Sequence, residues 1–235
     1  MRPGRRGELP VRPGARPVGA QLVSDDSAAA LYDVINRRRD TRREFTGEPV
    51  AGDVLQRVLL AAHAAPSVGM SQPWDFILVR SPQTLTTFRD HVAAERETFA
   101  GELSGERAET FGRIKIEGIC ESGLGIVVGY DPTRAGPQVL GRHAVPDAGL
   151  YSVVCAIQNL WLAATVEGLG VGWVSFYREE FLRSLVGMPD HVRPVAWLCV
   201  GPVAELPDVP DLERFGWRAR SSLETVLHQE CYRAR

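Results

Sequence analysis

The 235-residue chain is expected to form a single mixed α+β layer domain. Three observations predict this class. Four short apolar runs, 74–79, 124–130, 171–176 and 194–201, have the length and β-rich composition of strands. Segments with helical apolar spacing separate them, the pattern of a sheet flanked by helices. The stretch 151–167 is apolar on nearly every face, which marks a helix buried at the centre of a fold or in a subunit interface.

Residues 27–39 read as an amphipathic helix that ends in a charge run. Residues 54–65 read as a second, with Val54, Leu55, Val58, Leu59 and Ala62 on one face, and Pro66 stops it. Residues 67–73 are a loop by their Ser, Gly and Pro content. After the strand 74–79, helices are expected over 83–98 and 105–118, with a charged segment, 95–109, that forms either a cover or an exposed hairpin. The strand 124–130 and the apolar helix 151–167 follow. Gly168, Gly170 and Gly172 resemble a dinucleotide loop in composition only. They follow a helix and enter a strand, the reverse of the order that a phosphate-binding turn requires. They read as a helix C-cap and tight turn. A short helix 181–186, the strand 194–201, a Pro-rich linker 206–210 and a final helix 221–229 complete the domain, 25–235. Residues 1–24 are rich in Arg, Pro and Gly and lack the apolar stretch of a signal peptide. They read as a disordered leader or an overlong start.

Net charge is −2, which argues against a general nucleic-acid binder. No apolar run long enough to cross a bilayer is evident, so no membrane is expected. Cys120, Cys155, Cys199 and Cys231 are far apart and read as reduced thiols of a cytoplasmic protein. The five histidines have no metal-ligand spacing, so no metal is expected. No GxSxG elbow supports a hydrolase.

Chemistry concentrates in three distant segments. In Arg38-Arg39-Asp40-Thr41-Arg42, three guanidinium forks surround one carboxylate. Arginine matches phosphate oxygens bidentately, but Asp40 would repel them. The alternative is a solvated charge run in which Asp40 pairs an arginine. Lys115 is the only lysine, so a choice of arginine over lysine carries little weight. The second segment is the loop Pro66-Ser67-Val68-Gly69-Met70-Ser71-Gln72-Pro73-Trp74. The third is Arg218-Ala219-Arg220, ahead of the expected last helix, where cations oppose the helix dipole unless they serve another purpose.

Together these segments resemble the flavin-binding nitroreductase fold, over about residues 27–230. That family holds the FMN phosphate and ribityl chain with an arginine motif and a late basic pair. A P-S…S-Q-P-W loop borders the isoalloxazine, usually from the partner subunit. Within the fold, the chain resembles the 5,6-dimethylbenzimidazole synthases. The shared features are an aspartate in the arginine motif, here Asp40, and a serine after G-W-V, here Ser175, with 151–164, 115–119 and 139–142 also similar. Glu121-Ser122-Gly123 departs from a proline that is more usual before the strand.

The resemblance implies an intertwined homodimer with a mixed sheet. It implies Arg38, Arg39, Asp40, Thr41, Arg42, Pro66, Ser67, Gly69, Ser71, Ser175, Arg218 and Arg220 as FMN-binding residues. Reduced FMN would be the substrate, fragmented with O2 to 5,6-dimethylbenzimidazole, the lower ligand of vitamin B12, and erythrose 4-phosphate. A separate flavin reductase would supply it. Asp40 and Ser175 are the catalytic candidates. Asp40 would be kept ionised by the neighbouring arginines and would transfer a proton at the ribityl C1′. Their structural alternatives are an arginine-orienting carboxylate and a strand-end hydroxyl. Two other functions fit the fold: an FMN-dependent NAD(P)H nitroreductase or flavin reductase, and a non-catalytic flavin-binding or storage protein.

Overall fold

The helices and strands of a computed structural model, which describes residues 23–233, follow the expected order with few differences. Helix α1 (Asp25–Arg37) starts at Ser24, whose side chain accepts the Ser27 N–H. Helix α2 (Gly52–His63) leads through the loop to strand β1 (Trp74–Val79). Helices α3 (Pro82–Gly101), α4 (Gly105–Arg113) and α5 (Ile119–Ser122) precede strand β2 (Leu124–Tyr130). Helix α6 (Ala148–Val166), strand β3 (Leu169–Val174), helix α7 (Glu179–Leu185), strand β4 (Arg193–Pro202) and helix α8 (Asp211–Arg214) follow.

The four strands lie in the order β1-β2-β4-β3, and each neighbouring pair is antiparallel. Among the described residues, the one parallel feature is an isolated bridge from Asp40 to Val171. Side chains alternate across the sheet, as the pleat requires. Ile126, Val128, Leu198 and Val200 pack with α2 and α6 on one face. Val127, Trp197 and Cys199 pack with α3, α4 and α7 residues on the other. Trp197 is fully buried and stacks on Phe88 at 3.8 Å. Its indole lies where a Cβ at Gly125 would be, so that strand position must be glycine.

Contrary to the expectation that no apolar run is long enough to cross a bilayer, helix α6 has the length and apolar composition to do so. Much of that apolarity is spent on the sheet: Val153, Ala156, Ile157, Leu160 and Ala164 are buried in the core. Its other side leaves Tyr151, Val154 and Val166 exposed.

Two expectations change. Helix α4 ends at Arg113 rather than at residue 118, where Arg96 and Arg43 guanidiniums take up the carbonyls of Phe111, Arg113 and Ile114. The departure at 121–123 forms the end of α5 and a left-handed Gly123. The expected helix 221–229 is only a 3-10 turn, Leu223–Thr225. Leu223, Val226 and Leu227 stay exposed, so no apolar face is buried to stabilise a helix there. Of the expected leader, residues 1–22 lie outside the described residues.

Candidate functional site

The site is built on the exposed edge of β3. After α1 the chain runs extended beside that strand, and the Thr41 N–H donates to the Val171 carbonyl at 2.9 Å. This approach needs the glycines of β3. A Cβ at Gly172 would collide with the Thr41 carbonyl oxygen, and one at Gly170 would lie 2.7 Å from Thr41 Cγ2. Only Gly168, at φ +73, serves as the expected turn. The other two admit the arginine segment, which buries Thr41 completely.

Once backbone pairing stops, the side chain of Asp40 continues it. Its Oδ1 accepts the Trp173 N–H at 3.1 Å, and its Oδ2 pairs with the Arg42 guanidinium. Burial raises the Asp40 carboxyl above its ordinary value, and it outweighs the lowering by Arg42, the Trp173 N–H and Arg38. Burial therefore works against the arginines that were expected to keep Asp40 ionised. The side chain still keeps 33% of its surface open, so it is enclosed on most sides and accessible on one.

The arginines divide by role. Arg38 lies with its Cζ 4.8 Å from the Trp161 ring centroid. Burial depresses its pKa, Asp40 opposes the change, and the charges of Arg39 and Arg220 depress it further. Arg220 therefore stands within the field of Arg38, and like charges gathered this way favour an anion between them. Arg39 donates to the carbonyls of Asn36 at 2.6 Å, Arg38 at 2.9 Å and Asp208. Its guanidinium ties the end of α1 to the Pro-rich linker. Arg218 and Arg220 are exposed on an irregular segment. Because no helix begins at 221, the argument from an opposing helix dipole does not apply to them.

Arg42, Trp173 and Ser175 line a cavity of about 280 Å³ whose other walls include Phe99, Phe111, Phe176 and Trp217. These rings pack edge-on or tilted: Phe99–Phe111 at 5.1 Å, Phe99–Phe176 at 5.7 Å and Phe111–Trp217 at 6.0 Å. Arg107 of α4 lies over Trp217 at 3.6 Å. Thus α3 and α4 cover the cavity with apolar side chains. The sequence reading of 95–109 noticed the charges and missed Phe99 and the neighbouring Phe111. Their signal was aromatic residues facing the same way on two consecutive helices.

No residue of the loop 66–73 lines this cavity. Gly69 (φ +54), Met70 (φ 50) and Gln72 (φ 44) all adopt left-handed backbone. A Cβ at Gly69 would sit 2.8 Å from Val139 Cγ1. Ser67 Oγ accepts the Gln72 N–H at 3.0 Å, and Ser152 Oγ accepts the Val68 N–H at 3.1 Å. Ser71 is buried, with no partner for its hydroxyl among the described residues. Strained backbone and an unpaired hydroxyl are features of a ligand-contact loop. The structure also reveals His63, whose Nδ1 accepts from Trp74 Nε1 at 3.1 Å and fixes the end of the loop.

A cationic patch, a carboxylate, a hydroxyl and an aromatic cavity on one strand edge suit a planar, phosphate-bearing ligand such as FMN. Comparison with known proteins agrees. Residues 35–202 match the model of the nitroreductase family. The 5,6-dimethylbenzimidazole synthase of Rhodospirillum rubrum is 37% identical over 78% of this chain and 86% of the relative. That of Rhodobacter capsulatus is 35% identical over 80% and 91%. Among solved structures, an iodotyrosine deiodinase bound to FMN and 3-iodo-L-tyrosine superposes with a TM-score of 0.65 at 24% identity, over 82% of this chain and 97% of that one. Nitroreductase A from Vibrio parahaemolyticus gives 0.60 at 20% identity, over 88% and 77%. With its fold, strand-edge site and these likenesses, the chain belongs to the nitroreductase family and, within it, to the 5,6-dimethylbenzimidazole synthases.

Proposed function

We infer that this chain is a 5,6-dimethylbenzimidazole synthase, an oxidoreductase that consumes reduced FMN and O2 and releases 5,6-dimethylbenzimidazole and erythrose 4-phosphate. The observation that carries the reading is Asp40, a carboxylate of raised pKa bonded to Arg42 and to the Trp173 N–H, two residues that line a cleft with Ser175. A flavin reductase needs only a hydroxyl in this place to hold the ribityl chain.

Reduced FMN supplies both the ring and the ribityl carbon of the product when O2 fragments it. The residues of the chain do the rest. Arg38, Arg42, Arg218 and Arg220 hold the phosphate by charge-assisted hydrogen bonds. Thr41 and Arg39 set the position of the segment. Asp40 takes the proton lost at the ribityl C1′, for which an elevated pKa makes it a better acceptor. Ser175 hydrogen-bonds the ring near N5. The aromatic walls exclude water and a nicotinamide, which favours fragmentation over reductase turnover. A separate flavin reductase therefore supplies the reduced FMN.

We also infer a homodimer in which Pro66, Ser67, Gly69 and Ser71 reach the flavin of the other subunit. This reading is supported by the absence of that loop from the cavity lining and by exposed Leu31, Tyr32, Tyr151 and Val154. A stable monomer that binds FMN, seen by light scattering, would contradict it. Four unpaired cysteines fit a reducing, cytoplasmic setting.

Aerobic incubation with chemically reduced FMN, followed by mass spectrometry, tests the function. 5,6-Dimethylbenzimidazole is the expected product. Oxidised FMN alone would indicate a reductase, and retained, unchanged flavin would indicate a storage protein.

A further inference from the structure

Ser175 lies just beyond β3, on the turn that leads to α7. It is exposed, its hydroxyl has no protein partner among the described residues, and no turn-type backbone hydrogen bond closes 175–178. The same serine borders three cavities, so its position matters to each. Something other than the turn must fix it.

One stripe of α3 makes every contact required. Phe88, His91, Glu95 and Phe99 fall at helical spacing on a single face. The ring of Phe88 lies 5.8 Å from that of Tyr177. The His91 ring stacks on Phe181 at 3.8 Å and 8°, and its Nε2 accepts the Arg178 backbone N–H at 3.1 Å. Glu95 Oε1 accepts from Arg178 Nε at 2.8 Å. Phe99 meets Phe176 edge-on. The turn is thus clasped residue by residue from the helix that covers the aromatic cavity.

We propose that His91, supported by Glu95, is a positioning residue for Ser175: it fixes the 175–178 turn to α3 through the Arg178 N–H. The inference rests on the synthase reading for its effect on product, but the clasp itself does not. Its function is to keep the hydroxyl in register with the cleft, so that consumed O2 ends in product rather than in reoxidised flavin. His91→Phe preserves the stack on Phe181 and removes the acceptor. His91→Gln restores an acceptor without the ring.

The test uses the full chain carrying each variant, alone and combined with Ser175→Ala, with two readouts. One is 5,6-dimethylbenzimidazole formed per O2 consumed. The other is hydrogen exchange across residues 175–181. His91→Phe should lower the yield about tenfold, the scale of one hydrogen bond, and raise exchange at the Arg178 amide. His91→Gln should recover both. Adding His91→Phe to Ser175→Ala should cost nothing further, because the histidine acts through the serine. Additive losses, or an unchanged yield in His91→Phe, would overturn the proposal. Should His91→Phe fold poorly, Glu95→Gln probes the same clasp and should lower the yield several-fold. If the parent protein makes no product at all, the synthase reading fails, and the exchange readout still decides the clasp: unchanged protection in His91→Phe refutes it.

Discussion

Replacing Asp40 by asparagine isolates the step that most separates this chain from a flavin reductase. The amide keeps an oxygen where Oδ1 accepts the Trp173 N–H at 3.1 Å, so the strand-edge contact survives. It places an NH2 opposite the Arg42 guanidinium, a donor facing a donor. Arg42, whose side chain is only 13% exposed, then loses its carboxylate partner. A charge-assisted bond of this kind contributes about 1.5–3 kcal/mol. Removing the carboxylate also removes its desolvation, which exceeds its stabilisation by neighbours, as the raised pKa indicates. The two changes oppose each other. We expect a net change in stability within about 1 kcal/mol, or about 2–4 °C in Tm. Activity should respond very differently. Without a basic oxygen, 5,6-dimethylbenzimidazole formation should fall at least about 10²-fold, the lower end for a general base. O2 consumption and reduced-FMN binding should persist, yielding oxidised FMN. Stopped-flow oxidation followed by product quantitation measures all three. Near-parental product formation would reduce Asp40 to a holder of Arg42. Loss of binding with a Tm fall of more than about 10 °C would make it structural.

The same carboxylate sets pH dependences of known sign. A base must be ionised, so the parent rate should rise with pH along a limb lying above the ordinary carboxylate value of 3.8, and Asp40→Asn should lack that limb. For stability the sign is reversed. The folded state holds this proton more tightly than the unfolded chain does. Its contribution is therefore favourable at low pH and is lost as pH rises through the raised folded pKa. The variant should show a shallower loss of Tm across that range.

Two further substitutions address the phosphate and the backbone. Arg220→Ala should weaken reduced-FMN binding by about 1.5–3 kcal/mol and abolish the preference for FMN over riboflavin; isothermal titration that finds the preference intact would remove Arg220 from the phosphate site. Gly172→Ala drives a Cβ into the Thr41 carbonyl and should push the 38–42 segment off β3. It should cost about 1–3 kcal/mol in thermal unfolding and lower product formation with it; a variant of parental stability and activity would show that the close approach is dispensable.

Much of the fold was legible because its elements obey simple periods. The unbroken apolar run through Ile126, Val127 and Val128 suits a strand covered on both faces, and Pro66 marks a helix boundary from its chemistry alone, whereas the Ser24 cap was passed over and the first helix was expected to start at residue 27. The helix expected at 221–229 failed for a physical reason. Its apolar residues, Leu223, Val226 and Leu227, find no surface within this chain, and periodicity cannot reveal whether a partner exists. The aromatic cavity was missed because Phe99, Phe111, Phe176 and Trp217 converge from four separate segments.

The site presents a harder case, and β3 shows why. Gly170 and Gly172 looked like punctuation when considered only with their sequence neighbours. Their actual constraint is Thr41, about 130 residues earlier, whose backbone occupies the space that side chains would fill. Asp40 likewise looked like an anomaly among arginines, because its hydrogen-bond donor, Trp173, lies equally far away. Each half of the arrangement is unusual alone: a glycine-rich strand, and a carboxylate in a phosphate-binding segment. Joined by one bridge, they explain each other. The strand must be bare for the segment to lie against it, and only then does the aspartate reach the backbone N–H of Trp173, a residue of the cleft wall, while part of its side chain stays open. A serine there is shorter and cannot pair Arg42 by charge. The geometry therefore accounts for how the carboxylate is tolerated beside a phosphate site, and proton transfer accounts for why it is needed.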